Sequence, residues 1–247
     1  MMDASDQAHL SPTFNTGDDT IPARETKFVI TPDIAETIAA WLDQRLIPDP
    51  HGDPKNEGRY VVHTTCLDSP EFATYYREFT DGDVKYRVRR YGDADVIYAE
   101  KKSKQRGEVS KERVALPISE CHTLLNTNAN ETASGWFREA LATNRLGPVC
   151  HLTYTRQAWF GNADGRPFRV TLDRDILVSE PDPTTPGRRG ASQSVLPDGL
   201  VLEMKYRDSI PSLLKELIES YRLVPVTISK YRRGLPVLRP HLAKNAD

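Results

Sequence analysis

The sequence predicts an α+β protein built on an antiparallel closed β-barrel of about eight strands, with helices packed on the outside. Three observations lead there. Eight segments alternate polar and apolar residues, the pattern of a strand with one dry face. In most of them the polar positions are charged and mainly basic. The segments between carry amphipathic helical stripes suited to covering the dry faces, and about eight strands suffice to close a barrel whose inward side chains fill it or hold a small ligand. At 247 residues with 38% hydrophobic content, the chain can bury one sizeable core.

Residues 1–21 hold four aspartates, no Lys or Arg and little aliphatic content, which predicts a flexible acidic tail. Residues 22–240 are then one domain. The expected strands are 24–30, 59–67, 84–91, 95–103, 109–116, 149–160, 167–178 and 199–207. A helix over 32–46 places Ile34, Ile38, Trp41 and Leu42 at helical spacing, with Thr31 as N-cap and Pro32 at the first helical position. A shorter helix is expected over 70–78, and others over 131–144 and 209–221. The last has Leu213, Leu214, Leu217, Ile218 and Tyr221 on one stripe. Pro, Gly and Ser make 179–198 a long loop, and 48–58 is similar.

Composition excludes several classes. A formal charge of −2 gives no overall attraction for nucleic acid or an anionic membrane. No apolar run is long enough to cross a bilayer, and the first residues lack the basic and apolar regions of a signal peptide, so a cytoplasmic protein is expected. Cys66, Cys121 and Cys150 are odd in number and far apart, against a disulfide framework or structural zinc site. The six histidines show no paired metal spacing, and neither a P-loop nor a G-x-S-x-G elbow occurs.

The strand faces carry the functional signal. Lys85, Arg87 and Arg89 share one face against Tyr86 and Val88; Tyr98, Glu100, Lys102 and Lys104 lie opposite Ile97 and Ala99. Lys111 and Arg113 oppose Val114 and Leu116, and Tyr154 and Arg156 share a face. Arg169, Thr171 and Asp173 oppose Val170 and Leu172, Glu203 and Lys205 oppose Leu202 and Met204, and Glu25 and Lys27 oppose Phe28 and Ile30. Between Lys85 and Arg113 ten basic residues meet five acidic ones, in a protein whose total is negative. With the dry faces covered by helices, these rows point into a common lumen. Two like charges about 4 Å apart repel by roughly 4 kcal/mol at an effective dielectric near 20, so the lumen calls for an anion. Arginine forks and lysine ammonium groups suit phosphate oxygens. The carboxylates on the same faces, Glu25, Glu100, Asp173 and Glu203, can orient the cations or hold a hard divalent metal. For Glu203 a salt bridge to Lys205 or Arg169 is the alternative, and Asp173 can orient Arg169 instead.

The Glu25-Thr26-Lys27, Lys85–Gly92, Tyr98–Lys102, Ser110–Arg113, Tyr154–Arg156, Arg169–Asp173, Leu202–Lys205 and Ser229–Tyr231 blocks occur in the order seen in the VTC family. The sequence thus resembles the polyphosphate polymerase domain of the vacuolar transporter chaperone, a branch of the triphosphate tunnel metalloenzymes, over residues 24 to about 234. The resemblance implies a tunnel barrel that moves the γ-phosphate of ATP onto a polyphosphate chain with a divalent metal, Mn2+ in the first place and Mg2+ as the alternative. Carried over by motif, Lys27, Arg87, Arg89, Lys102, Lys111, Arg156, Arg169 and Lys230 grip phosphates as catalytic residues. Arg113, Lys205 and Ser229 are added phosphate contacts. Glu203 is the metal ligand, with Glu25, Glu100 and Asp173 as further candidates.

One departure separates the chain from the hydrolytic CYTH branch, which carries Glu-x-Glu-x-Lys near its start. Here position 23 is Ala, leaving Glu25 and Lys27. The eukaryotic proteins also have an SPX domain and membrane helices that this sequence does not show. Membrane insertion is therefore not expected of this chain, and translocation would need a membrane-protein partner. Two other functions compete: a metal-dependent hydrolase of tripolyphosphate or nucleoside triphosphates, and a non-catalytic polyphosphate-binding module. Binding to nucleic acid is not expected, because the basic rows point inward.

Overall fold

The structure, a computed structural model, describes residues 22–78, 83–125, 135–182 and 190–245. The expected acidic tail 1–21, residues 131–134 of the expected helix and residues 183–189 of the expected loop lie outside that range.

Alternation of apolar and polar residues produces eight long strands, and two short ones bring the total among the described residues to ten: β1 (Ala23–Ile30), β2 (Ile47–Pro48), β3 (Tyr60–Asp68), β4 (Asp83–Tyr91), β5 (Val96–Gln105), β6 (Glu108–Pro117), β7 (Gly147–Ala163), β8 (Arg166–Ser179), β9 (Gln193–Ser194) and β10 (Leu200–Tyr206). The eight long ones pair antiparallel in the order β7-β3-β4-β5-β6-β1-β10-β8, and β8 pairs back onto β7, closing a ring. Each expected strand segment is one of these eight, while β2 and β9 are short additions to β7 and β8.

Closure leaves no free edge over most of the ring. The seam between β1 and β6 is the narrowest join, with only Ala23 opposite Val109 and Arg24 opposite Glu108. Beyond it the strap that precedes the last α-helix runs beside β1, and Val226 N–H donates to Lys27 O at 2.8 Å.

The helices are α1 (Pro32–Asp43), α2 (Ala73–Tyr76), α3 (Cys121–Leu125), α4 (Gly135–Thr143), α5 (Ser212–Ser220) and α6 (Lys230–Leu238). α1 and α5 cover the outer faces of β1, β10 and β8, where Phe28, Leu172, Leu202 and Met204 meet Ile38, Leu42, Leu214 and Leu217. Each large side chain removed from water there contributes about 1.5–3 kcal/mol. The buried stripe of α1 runs through Ala35, Ile38, Ala39 and Leu42; Ile34, expected on it, is 37% exposed. α3 and α4 cover β4–β6 in the same way, Cys121, Leu124 and Phe137 against Val88, Ile97 and Ala99. Among the described residues no helix is long and apolar enough to cross a membrane.

α6 was not expected and does not lie on an outer dry face. Its Tyr231 and Leu235 pack with Cys66, Leu152, Tyr154 and Val178, and Cys66, Leu152 and Tyr154 belong to the faces that line the lumen. A register slip between β7 and β8 at Thr153/Thr155, with Asp175 at φ 51°, makes this possible. Past the slip Val178 stands opposite Leu152, so the inner face of β8 turns from charged to apolar. Gly234 allows the close approach: a Cβ there would lie 3.1 Å from Leu152 and 3.3 Å from Val178 and Val195. The part of the lumen beside β3, β7 and β8 is thereby filled with apolar side chains, and the polar part is left as the site.

Candidate active site

The charged faces converge. Lys27, Arg87, Arg89, Lys102, Lys111, Arg113, Arg156, Arg169, Lys205, Ser229 and Lys230 all line one cavity of about 680 Å³, together with Glu25 and Glu203. Antiparallel register sets them in rows across the sheet. Lys85, Lys102 and Lys111 stand opposite one another on β4, β5 and β6, and the next row is Arg87, Glu100 and Arg113. Ser229 and Lys230 come from the start of α6, the element that enters the ring.

The four candidate carboxylates fall into two kinds. Glu100 and Asp173 are wholly buried and do not line the cavity. Arg87 Nε donates to Glu100 at 2.6 Å, with Lys111 Nζ at 3.5 Å and Arg89 at 3.9 Å. Asp173 takes two hydrogen bonds from Arg156, at 2.6 and 2.8 Å, and Lys230 Nζ at 2.6 Å. Its partner is the residue directly across on β7 and not Arg169 on its own strand. Burial alone would raise both carboxyls. Arg87, Lys111 and Arg89 outweigh it and hold Glu100 well below the usual range, while Arg156 and Lys230 hold Asp173 at about 2. Each therefore stays ionised and fixes its cations in place.

Glu25 and Glu203 face the lumen. Lys102 Nζ lies 2.8 Å from both oxygens of Glu25. Lys27 bridges the pair, 3.5 Å from Glu25 and 3.1 Å from Glu203. Glu203 thus pairs with the residue opposite it on β1. Burial pushes Lys27 down, but the two carboxylates prevail and its pKa rises. Lys102 shows the reverse balance: burial outweighs Glu25 and lowers it to about 8. Lys85, lining the same cavity, falls to about 7 through burial and the nearby charge of Arg232, against the pull of Asp83. Burial thus leaves these two ammonium groups easier to deprotonate than an exposed lysine.

Three structural supports were not singled out from the sequence. Asp49, 5% exposed, accepts from Arg169 Nη2 at 2.8 Å and from the Tyr60 hydroxyl at 3.2 Å, steadying Arg169. Tyr60 was findable, since it shares the inward alternation of β3 with Thr64 and Cys66; Asp49 lies in a loop and gave no signal. Asp68 accepts from Thr74 N–H, Tyr75 N–H and the Tyr231 hydroxyl at 2.8, 2.9 and 2.5 Å. Arg232 grips Asp83 with two hydrogen bonds, at 2.7 and 3.1 Å, and the Thr74 and Tyr75 carbonyls at 2.9 Å. Together Asp68 and Arg232 fasten α6 and so place Ser229 and Lys230.

The cavity continues into a second one of about 740 Å³ that shares Glu25, Lys27, Lys85, Lys102 and Ser229 and adds Arg77, Lys104, Arg106, Arg232 and Arg233. The two mouths differ in chemistry. The far one sets eight Lys and Arg against Glu25 and Asp83 among its described lining residues, while the near one carries Asp49, His51 and Asp53 beside Tyr60, Tyr91 and Tyr98.

Among the described residues no group of three or more His, Cys, Asp or Glu converges. Glu25 and Glu203 nevertheless present two ionised carboxylates to the lumen around one ammonium group. A hard divalent cation of the Mg2+ type takes one or two carboxylates and completes its shell with substrate phosphates and water, and this pair fits that donor set.

The VTC domain model matches residues 22–239. Among solved structures, a Bacillus halodurans protein described as a candidate adenylate cyclase superposes with a TM-score of 0.52 at 10% identity, covering 84% of this chain and 93% of its own. HpAC1 from Hippeastrum, described as a candidate adenylyl cyclase with a dominant triphosphatase activity, gives 0.50 at 10% identity with the same coverage. Among curated proteins none matches the sequence.

Proposed function

The chain belongs to the VTC domain family, and from that premise we propose that it is a triphosphate-binding tunnel enzyme that moves the γ-phosphoryl group of ATP onto a polyphosphate chain, with residues 22–240 as the functional unit. The observation that carries this reading is the one cavity lined by eleven described Lys and Arg residues from seven strands and one helix. Only a guest with several negative charges matches it. An extended anion also suits a lumen that continues into a second cationic opening.

The geometry supports the following roles. Arg87, Arg89, Lys111 and Arg113 form one wall, and Arg156, Arg169, Lys205 and Lys230 the other; each grips phosphate oxygens. Buried Glu100 and Asp173 hold the cations in position before substrate arrives, so little reorganisation is left for the reacting complex. Ser229 adds a hydroxyl donor at the start of α6. Glu203 and Glu25 are the residues that would hold Mn2+ or Mg2+, Glu100 and Asp173 being committed to arginine and lysine. The metal would neutralise charge on phosphate oxygens. The protein's own contribution is alignment of the acceptor phosphate with the donor, and stabilisation of the charge that develops on the transferred group and leaving oxygens. Ala23 is buried and pairs with Val109, so no further carboxylate joins Glu25 from that position; this supports transfer over a hydrolytic site built on paired acids.

Incubation with ATP and Mn2+ tests the reading. Polyphosphate chains resolved on a gel support transfer. Orthophosphate and ADP alone assign the cage to hydrolysis, and neither product with tripolyphosphate still bound assigns it to binding only.

A further inference from the structure

We propose that the near mouth of the lumen seats the base of a nucleoside triphosphate on an aromatic rim formed by Tyr60, Tyr91 and Tyr98. This rests on the triphosphate reading above and adds what that reading leaves open, how the tunnel distinguishes a nucleotide from bare polyphosphate. The three rings stand in a continuous row: Tyr60 meets Tyr91 edge to face with centroids 6.1 Å apart, and Tyr91 meets Tyr98 likewise at 5.8 Å. All three are half-buried and line the cavity.

The row joins the cation cage directly. Arg113 lies 4.9 Å over the face of Tyr98, Arg89 lies 5.9 Å from the ring centre of Tyr91, and the Tyr60 hydroxyl accepts from Arg169 at 3.1 Å. On β5, Tyr98 shares its face with Glu100 and Lys102, about 7 and 13 Å further in at roughly 3.3 Å per residue. Triphosphate gripped by the inner rows therefore directs its nucleoside end toward the tyrosines. Small neighbours leave room at the rim, where Gly92 and Ala94 line the opening. A planar base stacks on an aromatic face or on an arginine plane, and such stacking is tolerant of base identity. Because the far opening has no aromatic residue among its described lining, the tunnel has a direction, with the nucleotide's base at the near mouth.

The test compares the affinities of ATP and tripolyphosphate for the full chain and for Tyr98→Leu and Tyr98→Phe, by calorimetry without turnover. The expected result is about a tenfold loss of ATP affinity in Tyr98→Leu, from lost stacking. Tripolyphosphate affinity is unchanged in that variant, and Tyr98→Phe behaves as the parent. Equal loss for both ligands, or no loss for ATP, overturns the base seat and leaves the phosphate cage standing. Failure of tripolyphosphate to bind the parent overturns the cage and the seat with it.

Discussion

Replacing Glu100 with Gln keeps the shape of the side chain and removes the charge on which Arg87, Arg89 and Lys111 converge. At the observed separations of 2.6–3.9 Å, each attraction is roughly 4–6 kcal/mol at an effective dielectric near 20, before the cost of desolvation is set against it. Breaking a buried pair by removing one partner costs about 3–5 kcal/mol net, because the remaining charge is left uncompensated. For a chain of this size that lowers the melting temperature by roughly 6–20 °C. Tripolyphosphate brings its own negative charge to the same three cations. It should therefore raise the melting temperature of Glu100→Gln by more than it raises that of the parent. Thermal unfolding of both proteins, with and without saturating tripolyphosphate in the absence of metal, is the assay. A fall of less than about 2 °C, or equal ligand-induced shifts in the two proteins, would refute the idea that Glu100 and the substrate neutralise the same cations.

Four other outcomes are expected. With Lys85 near 7 and Lys102 near 8, tripolyphosphate binding takes up protons near pH 8, and its affinity weakens as pH rises from 7 to 9; calorimetry in buffers of different ionisation enthalpy reads both. Without ligand the sign inverts, because an unfolded lysine titrates near 10.4 and binds more protons than the folded one. Stability of the free protein therefore rises between pH 7 and 8.5, and a falling melting temperature over that interval counts against the buried ammonium groups. Gly234→Val drives methyl groups into Leu152, Val178 and Val195, costing about 1–3 kcal/mol by overpacking. The displacement of α6 also lifts Lys230 from Asp173, so tripolyphosphate affinity falls with the melting temperature. In Glu203→Gln the extra stabilisation that Mn2+ gives in the presence of tripolyphosphate is lost, while metal-free tripolyphosphate binding persists, as read by thermal shift; retention of the Mn2+ effect would remove Glu203 as the ligand.

Alternating polarity marked the eight long strands and, except past the slip in β8, their inward faces. A strand repeats every two residues, so Lys85, Arg87 and Arg89 must share a side whatever they meet. Closure of the ring followed because both charged and apolar faces needed cover. The partners did not follow. Glu203 meets Lys27 and Asp173 meets Arg156, each directly across a neighbouring strand, and such pairings depend on register between segments far apart in the chain. The same non-locality hid the division of labour among the carboxylates: Glu100 and Glu25 read alike in sequence, but one is sealed under three cations while the other faces the lumen. α6 was hidden for a related reason. Its stretch begins at a Ser-Lys motif and contains Gly234 and Pro236, both poor helix formers, and what secures it is tertiary: Asp68, Asp83 and an apolar inner surface opened by the register slip near Asp175. Local periodicity determined which side chains point inward; only the packed ring determined which of them touch, because contact across strands is a property of three-dimensional register and not of neighbouring positions in the chain.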